Sequence, residues 1–303
     1  MEITQLKELL KKFQSNVFFN YDLKKKNWFN IGGKTKVFFK ADELKSLVEF
    51  LKILNNREKI SIIGAGSNTL ISDDIYDGVV IKLGKNFNRL SLLGKDIVIS
   101  GTAVLDKNLA DFAAENNLGG FEFLSCIPGS VGGGIKMNAG CFGNEIKDIL
   151  VSIQAIDKIG NVITIPADKI NFEYRNNDLP NNLIFLSASF RGTKKSFKTI
   201  KDEMLKLKIK KENNQPTKIK TSGSTFKNPI KQTEKKVWEL IRDSVPSNTS
   251  FGDACISKKH SNFFVNKGNA TFSDMKRLID YVSESVFKKT GISIEKEIKI
   301  LEN

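Results

Sequence analysis

The sequence predicts an α+β protein of two or three domains. A β-α-β unit lies near the N-terminus, short strands joined by hairpin turns fill the middle, and an amphipathic helix precedes a last strand. At 303 residues the chain is long for a single core.

The elements follow in order. Residues 1–10 read as an amphipathic helix carrying acids, without the basic-then-apolar order of a secretion signal. Residues 31–40 read as a strand and 43–54 as a helix, because Leu44, Leu47, Val48, Leu51 and Leu54 recur with a 3.6-residue period. Residues 59–63 form a short buried strand that runs into a glycine turn. Strands at 78–83 and 96–100 precede a helix at 104–116 that buries Leu105, Leu109, Phe112 and Ala113. After a second glycine segment, 149–156 and 162–165 form a hairpin around Gly160, and a strand at 183–190 closes this part. A lysine-rich helix at 198–211 leads to Asn-Asn-Gln-Pro at 213–216, the best domain boundary. Beyond it come a helix at 234–243 and a strand at 262–266. Ser273 is the expected N-cap of a helix with Met275, Leu278, Ile279, Val282 and Val286 on one face. A strand at 292–301 ends the chain. The expected domains are 1–80, with the last strand packing back near it, 81–195 and 196–303.

Composition narrows the function. Apolar residues at 40% and charged ones at 27% fit a globular protein, and no apolar run reaches the ~18 residues of a membrane span. Cys126, Cys141 and Cys255 show no metal-ligand spacing, and their odd number points to reduced thiols in the cytoplasm. The single histidine, His260, excludes a multi-histidine metal site, and no Ser/His/Asp spacing surrounds it. The net charge of +14 is spread thinly, with short clusters at 24–26 and 206–220 and no aromatic-interleaved basic motif. It reads as a solvated surface able to attract a phosphorylated, carboxylated substrate.

Two glycine segments carry the chemistry. IIGAGSNTLI occupies 62–71, and IPGSVGGGIKMNAG at 127–140 gathers five glycines and a proline around Asn138. Such clusters mark backbone that approaches something closely, and rows of N–H groups in them suit a pyrophosphate. Neither has the ending of a P-loop or the spacing of a Rossmann turn. A dinucleotide held by two separate loops is the leading reading.

Read together, the motifs resemble the UDP-N-acetylenolpyruvoylglucosamine reductases, flavoenzymes of bacterial peptidoglycan synthesis. The resemblance spans about residues 27–302. It rests on NWFNIGG at 27–33, IGAGSN at 63–68, GFEFL at 120–124, IPGSVGG at 127–133 and MNAG at 137–140. Tyr174-Arg175, Gly223-Ser224 with FKNP at 226–229, and IEKEI at 294–298 complete it, in family order. The resemblance implies the FAD-binding fold of the vanillyl-alcohol-oxidase type in two subdomains plus an α+β substrate domain, in the shorter of the family's two forms. It implies FAD as cofactor and NADPH as hydride donor, in a cytoplasmic monomer acting on a UDP-sugar, without nucleic-acid or membrane partners.

By the same resemblance, Gly64, Ala65, Gly66, Ser67 and Asn68 hold FAD with Ile127, Pro128, Gly129, Ser130, Gly132, Gly133, Asn138, Ala139 and Gly140. Tyr174, Lys227 and Asn228 line the substrate site. Arg175 stabilises the enolate formed when hydride reaches the enolpyruvyl methylene carbon, with a planar fork suited to a carboxylate. Glu297 assists it in protonated form, which requires a raised pKa. Ser224 returns a proton to the enol carbon. Trp28, Asn177 and Lys296 stand where the family usually has Thr, Ser and Pro. The rival readings are another FAD-dependent oxidase or dehydrogenase of the superfamily, and a basic nucleic-acid-binding protein without catalysis.

Overall fold

The apolar periodicity resolves into three hydrophobic cores in a computed structural model that describes residues 1–216 and 219–303. Lys218, within the expected lysine cluster, lies outside the described residues. Two cores belong to a unit made of Met1–Phe19, Lys36–Ala65 and Gly78–Lys211. The third belongs to a unit made of Asn20–Thr35, Gly66–Asp77 and Glu212–Asn303.

The first core is built on the β-α-β unit, strand Lys34–Ala41, helix Leu44–Leu54 and strand Ile60–Ile62. The helix buries Leu47, Phe50, Leu51 and Leu54, and ends at Asn55 in the left-handed region, a conformation that Asn tolerates. Phe39 and Phe50 stack with centroids 4.0 Å apart, and Phe13 meets both edge-on. The sheet order is Val17–Asp22, Lys34–Ala41, Tyr76–Leu83, Ile60–Ile62, and the last two strands are parallel. Strand Ile60–Ile62 therefore delivers Gly64 at the carboxyl end of a parallel pair, where α/β loops commonly meet ligands.

The second core covers a five-stranded antiparallel sheet ordered Val162–Pro166, Leu150–Ile156, Ile184–Arg191, Ile97–Gly101, Leu90–Leu93. The expected hairpin is its edge, and Asp157 Oδ1 ties the turn by accepting the N–H groups of Ile159 and Asn161 at 3.0 and 2.9 Å. Helix Asp106–Glu115 buries Leu109, Ala110, Ala113 and Ala114, while Leu105, expected inside, is exposed. Helix Phe197–Asn214 gives Ile200 and Met204 to this core, so it belongs here and not with the C-terminal part. Residues 20–35 and 66–77 group the other way.

The expected glycine loop at 127–140 contains a helix, Val131–Lys136. Three successive glycines oppose helix formation, but Val131 and Ile135 are buried in the core and tertiary packing overrides propensity. Beside this helix lies Asp106, fully buried, with both carboxylate oxygens lacking a hydrogen-bond partner among the described residues. Burial pushes its pKa up to about 8. The unfolded chain loses this proton near its ordinary carboxylate pKa while the folded chain holds it to about 8. Stability therefore falls as pH rises between those values. Asp106→Asn is expected to flatten that slope in urea unfolding at pH 5 and pH 8; equal slopes for both proteins would contradict the assignment.

The third core joins helices Val237–Ser244 and Phe272–Thr290 to the small sheet Ser250–Phe251, Ala254–Ile256, Phe264–Asn266. The long helix buries the five residues expected, but its N-cap is Thr271 and not Ser273. Thr271 Oγ1 accepts the Asp274 N–H at 3.1 Å while Asp274 Oδ2 accepts the Thr271 N–H at 3.0 Å, a reciprocal capping box. The last strand is limited to Lys299–Leu301, paired parallel with Thr69–Ile71.

Candidate active site

In the first unit the two glycine segments meet. A Cβ built on Gly64 would lie 2.4 Å from Ser130 Oγ, and Lys82 Nζ donates to the Gly64 carbonyl at 2.8 Å. The residues beyond Ser130 then divide by role. Val131 and Gly132 donate their N–H groups to the carbonyls of Val104 and Thr102, and the Gly129 carbonyl accepts from Asp106 N–H. A Cβ on Gly132 would sit 3.0 Å from Thr102 Cβ, so Gly132 faces the protein in a tight contact. Gly133 is exposed, its N–H has no acceptor among the described residues, and a Cβ there would touch only Ser130 Oγ at 3.6 Å. Open backbone beside Gly64 and Ser130 fits a dinucleotide cofactor approaching main-chain donors. Pro128 is exposed next to it, while Ile127 and Ala139 are half-buried.

Asn138 has its side chain taken up by bonds within the protein. It is fully buried at a positive φ of 39°, donates to Glu145 Oε2 (2.9 Å) and the Glu173 carbonyl (3.0 Å), and accepts from Lys147 N–H (3.2 Å). These bonds fix the segment that holds Arg175. Arg175 Nη1 donates to the Asn138 carbonyl at 3.3 Å, and Nη2 to that of Gly140 at 2.8 Å. Glu145 lies 3.8 Å away and the Tyr174 ring 5.0 Å from the guanidinium. Arg175 itself has φ 56°, in the turn between the paired residues Phe172–Glu173 and Asn176–Asn177. A left-handed arginine costs about 1–3 kcal/mol and persists where surrounding contacts over-determine it. Asn177, a departure from the family's serine, completes this turn. It is buried and donates to the carbonyls of Ile135 and Lys136, both at 2.9 Å, capping the glycine helix.

In the second unit, Ser224 follows Gly223, whose φ of 76° needs glycine. Asn262, buried and absent from the sequence-based site, clamps the next residues. Its Oδ1 accepts Phe226 N–H at 3.0 Å, its Nδ2 donates to the Phe226 carbonyl at 2.9 Å, and its carbonyl accepts Thr225 N–H at 2.8 Å. Its only sequence signal was its position two residues after the lone histidine. Ser224 Oγ makes no hydrogen bond among the described residues and is half-buried. The Glu297 segment lies alongside: Glu297 N–H donates to the Thr225 carbonyl, and Lys227 N–H to that of Glu295, both at 2.8 Å. The intervening bridge pairs Phe226 with Lys296 and does not use the Lys296 N–H, which explains why a proline is compatible there.

The other expected residues in this unit have structural partners. Asn228 Oδ1 accepts Val237 N–H at 3.0 Å, capping a helix, and Lys227 Nζ pairs with Glu295 at 3.3 Å. The Gly66 carbonyl accepts Trp28 N–H, and a Cβ on Gly66 would lie 2.0 Å from the Lys26 carbonyl oxygen. Asn68 Nδ2 donates to the Glu297 carbonyl at 3.1 Å, and Ser67 is half-buried. His260 is a packing residue, its ring 4.7 Å from that of Phe263, with burial lowering its pKa. No cluster of metal-ligating side chains and no helix long and apolar enough to cross a membrane occur among the described residues.

Comparison with known proteins gives the family. Residues 35–166 match the FAD binding domain family, and residues 215–301 match the family of the UDP-N-acetylenolpyruvoylglucosamine reductase C-terminal domain. The reductase of that name from Pelagibacter ubique is 64% identical over 301 residues, covering 99% of this chain and all of that protein. The Rickettsia typhi reductase is 42% identical over 92% of this chain and 94% of its own length. The crystal structure of the Thermus caldophilus reductase superposes with a TM-score of 0.80 at 26% identity, over 94% of this chain and 98% of that one. The α+β architecture is thus the FAD-binding fold with its C-terminal companion, and the chain belongs to the UDP-N-acetylenolpyruvoylglucosamine reductase family.

Proposed function

We propose how this chain's residues perform the family's reaction, the NADPH-dependent reduction of UDP-N-acetylenolpyruvoylglucosamine to UDP-N-acetylmuramate in cell-wall synthesis. Bound FAD supplies the relay of hydride from NADPH to the enolpyruvyl methylene carbon. Gly64, Ala65, Ser130 and Gly133 hold it through main-chain groups. Gly132, Asn138, Ala139 and Gly140 act by shaping that backbone, as do Gly66, Ser67 and Asn68 at their own turn. As hydride arrives, negative charge develops on the adjacent carbon and its carboxylate. Arg175 opposes that charge, its guanidinium oriented by the carbonyls of Asn138 and Gly140. Glu297 assists at the same carboxylate.

Ser224 then gives its hydroxyl proton to the enol carbon. The observation that carries this assignment is the hydroxyl itself, without a hydrogen bond among the described residues while Asn262 and Glu297 pin the adjoining Thr225 and Phe226. Tyr174, Lys227 and Asn228 position the sugar nucleotide, Asn228 through the helix it caps. The protein works as a cytoplasmic monomer and binds no nucleic acid, its basic surface serving to attract anionic substrates. NADPH and the sugar nucleotide use one cleft in turn, since the sequence holds no second dinucleotide motif. Initial rates should then give parallel double-reciprocal lines with inhibition by excess substrate; intersecting lines would overturn the shared cleft.

A further inference from the structure

Two of the three cysteines lie on neighbouring elements of the first unit. Cys126 ends the turn Glu122–Cys126 and is buried; Cys141 ends strand Gly140–Cys141 and is half-buried. They bracket the glycine segment, and the chain returns through helix Val131–Lys136 so that strand Gly140–Cys141 packs against the segment that ends at Cys126. Ser125 Oγ lies 3.8 Å from Cys126 Sγ, and Lys211 Nζ donates to the Cys126 carbonyl at 2.5 Å. The Cys141 thiol, aided by the Ser125 hydroxyl and the Lys211 ammonium, holds the Cys126 thiol down to about 6. The same pairing, with burial, pushes Cys141 up, against the pull of Lys211 and Arg175. One thiolate beside one thiol is the arrangement from which a disulfide forms. Cys255, in strand Ala254–Ile256, has no such neighbour, and burial raises its pKa.

We propose that Cys126 and Cys141 form a reversible dithiol–disulfide site whose oxidant is a peroxide, and whose disulfide clamps the glycine segment. In the first step the Cys126 thiolate attacks one peroxide oxygen. An S–O bond forms, the O–O bond breaks, and hydroxide leaves to take up a proton as water. In the second step Cys141 sulfur attacks the sulfenic sulfur. The S–S bond forms, the S–O bond breaks, and the departing oxygen leaves as water with the Cys141 proton. The two thiols lose two electrons and the peroxide becomes two waters. The disulfide ties residue 126 to the strand whose Gly140 carbonyl orients Arg175, so oxidation reaches both the glycine segment and the arginine.

The test uses the full-length holoprotein, treated with equimolar hydrogen peroxide, alkylated and mapped by mass spectrometry without reduction. The expected product is a cross-linked peptide pair containing Cys126 and Cys141, two hydrogens lighter than the dithiol, with Cys255 alkylated and dithiothreitol reversing the link. Cys126 should react about 10-fold faster than Cys255, its larger thiolate fraction being partly offset by lower nucleophilicity. Phenylarsine oxide, which bridges paired thiols, should protect both cysteines from alkylation. Cys141→Ser should replace the link by stable sulfenic or sulfinic acid at Cys126. Wild-type protein oxidised at Cys126 without the cross-link, or at Cys255 as fast as at Cys126, would overturn the proposal without any variant having to fold.

Discussion

Ser224→Ala is expected to leave NADPH-dependent bleaching of the yellow cofactor near its normal rate while slowing the return of colour with the enolpyruvyl substrate by about 10²–10⁴-fold. That range is the usual share of a positioned general acid. The separation follows because the proton is needed only after hydride reaches the substrate. Ser224 Oγ holds no structural hydrogen bond among the described residues, so its removal leaves the clamp formed by Asn262 intact. Arg175→Lys should also damage mainly the second stage, since a compact ammonium cannot reproduce a planar fork held by two carbonyls. A serine that merely supported the Gly223 turn would instead slow both stages together and lower the melting temperature.

Gly133→Val is expected to abolish FAD retention while the fold survives. The residue sits in helix Val131–Lys136, where valine is a better helix former than glycine. A Cβ there meets nothing of the protein closer than Ser130 Oγ at 3.6 Å, so the new side chain projects from the backbone into cofactor space. Gly132→Val is the contrasting variant, because its side chain would press on Thr102, 3.0 Å from the Cβ position, and its loss of cofactor would accompany loss of stability. The readouts are the flavin-to-protein absorbance ratio after purification and the far-ultraviolet circular dichroism. Gly133→Val protein that retains full flavin would remove residues 130–133 from the cofactor site.

Much of the framework was legible because it is periodic. The helix Leu44–Leu54, the hairpin around Gly160 and the buried face of helix Phe272–Thr290 all follow from apolar spacing and turn chemistry. The helix at 131–136 was not, because three glycines hide it from any propensity scale and its support is tertiary. The grouping of residues 20–35 and 66–77 with the C-terminal part was equally hidden, since pairing of Lys299–Leu301 with Thr69–Ile71 spans most of the chain. The candidate site residues stand out in the sequence as motifs, while the contacts that each makes do not. Gly132 packs against Thr102 and the Asn138 side chain bonds to Glu145 and Glu173, contacts that a string of glycines does not announce. Asn262 had no motif at all, and only its three bonds to Thr225 and Phe226 reveal it.

In the proposed reaction one chain links NADPH oxidation to reduction of an enolpyruvyl group through FAD. Anaerobic mixing of the purified yellow protein, first with one equivalent of NADPH and then with UDP-N-acetylenolpyruvoylglucosamine, tests it most directly. Bleaching of the visible band in the first mix, full recovery in the second and formation of one equivalent of UDP-N-acetylmuramate are the predicted results. A band that bleaches with NADPH but recovers only when oxygen is admitted would contradict it and make the chain an oxidase.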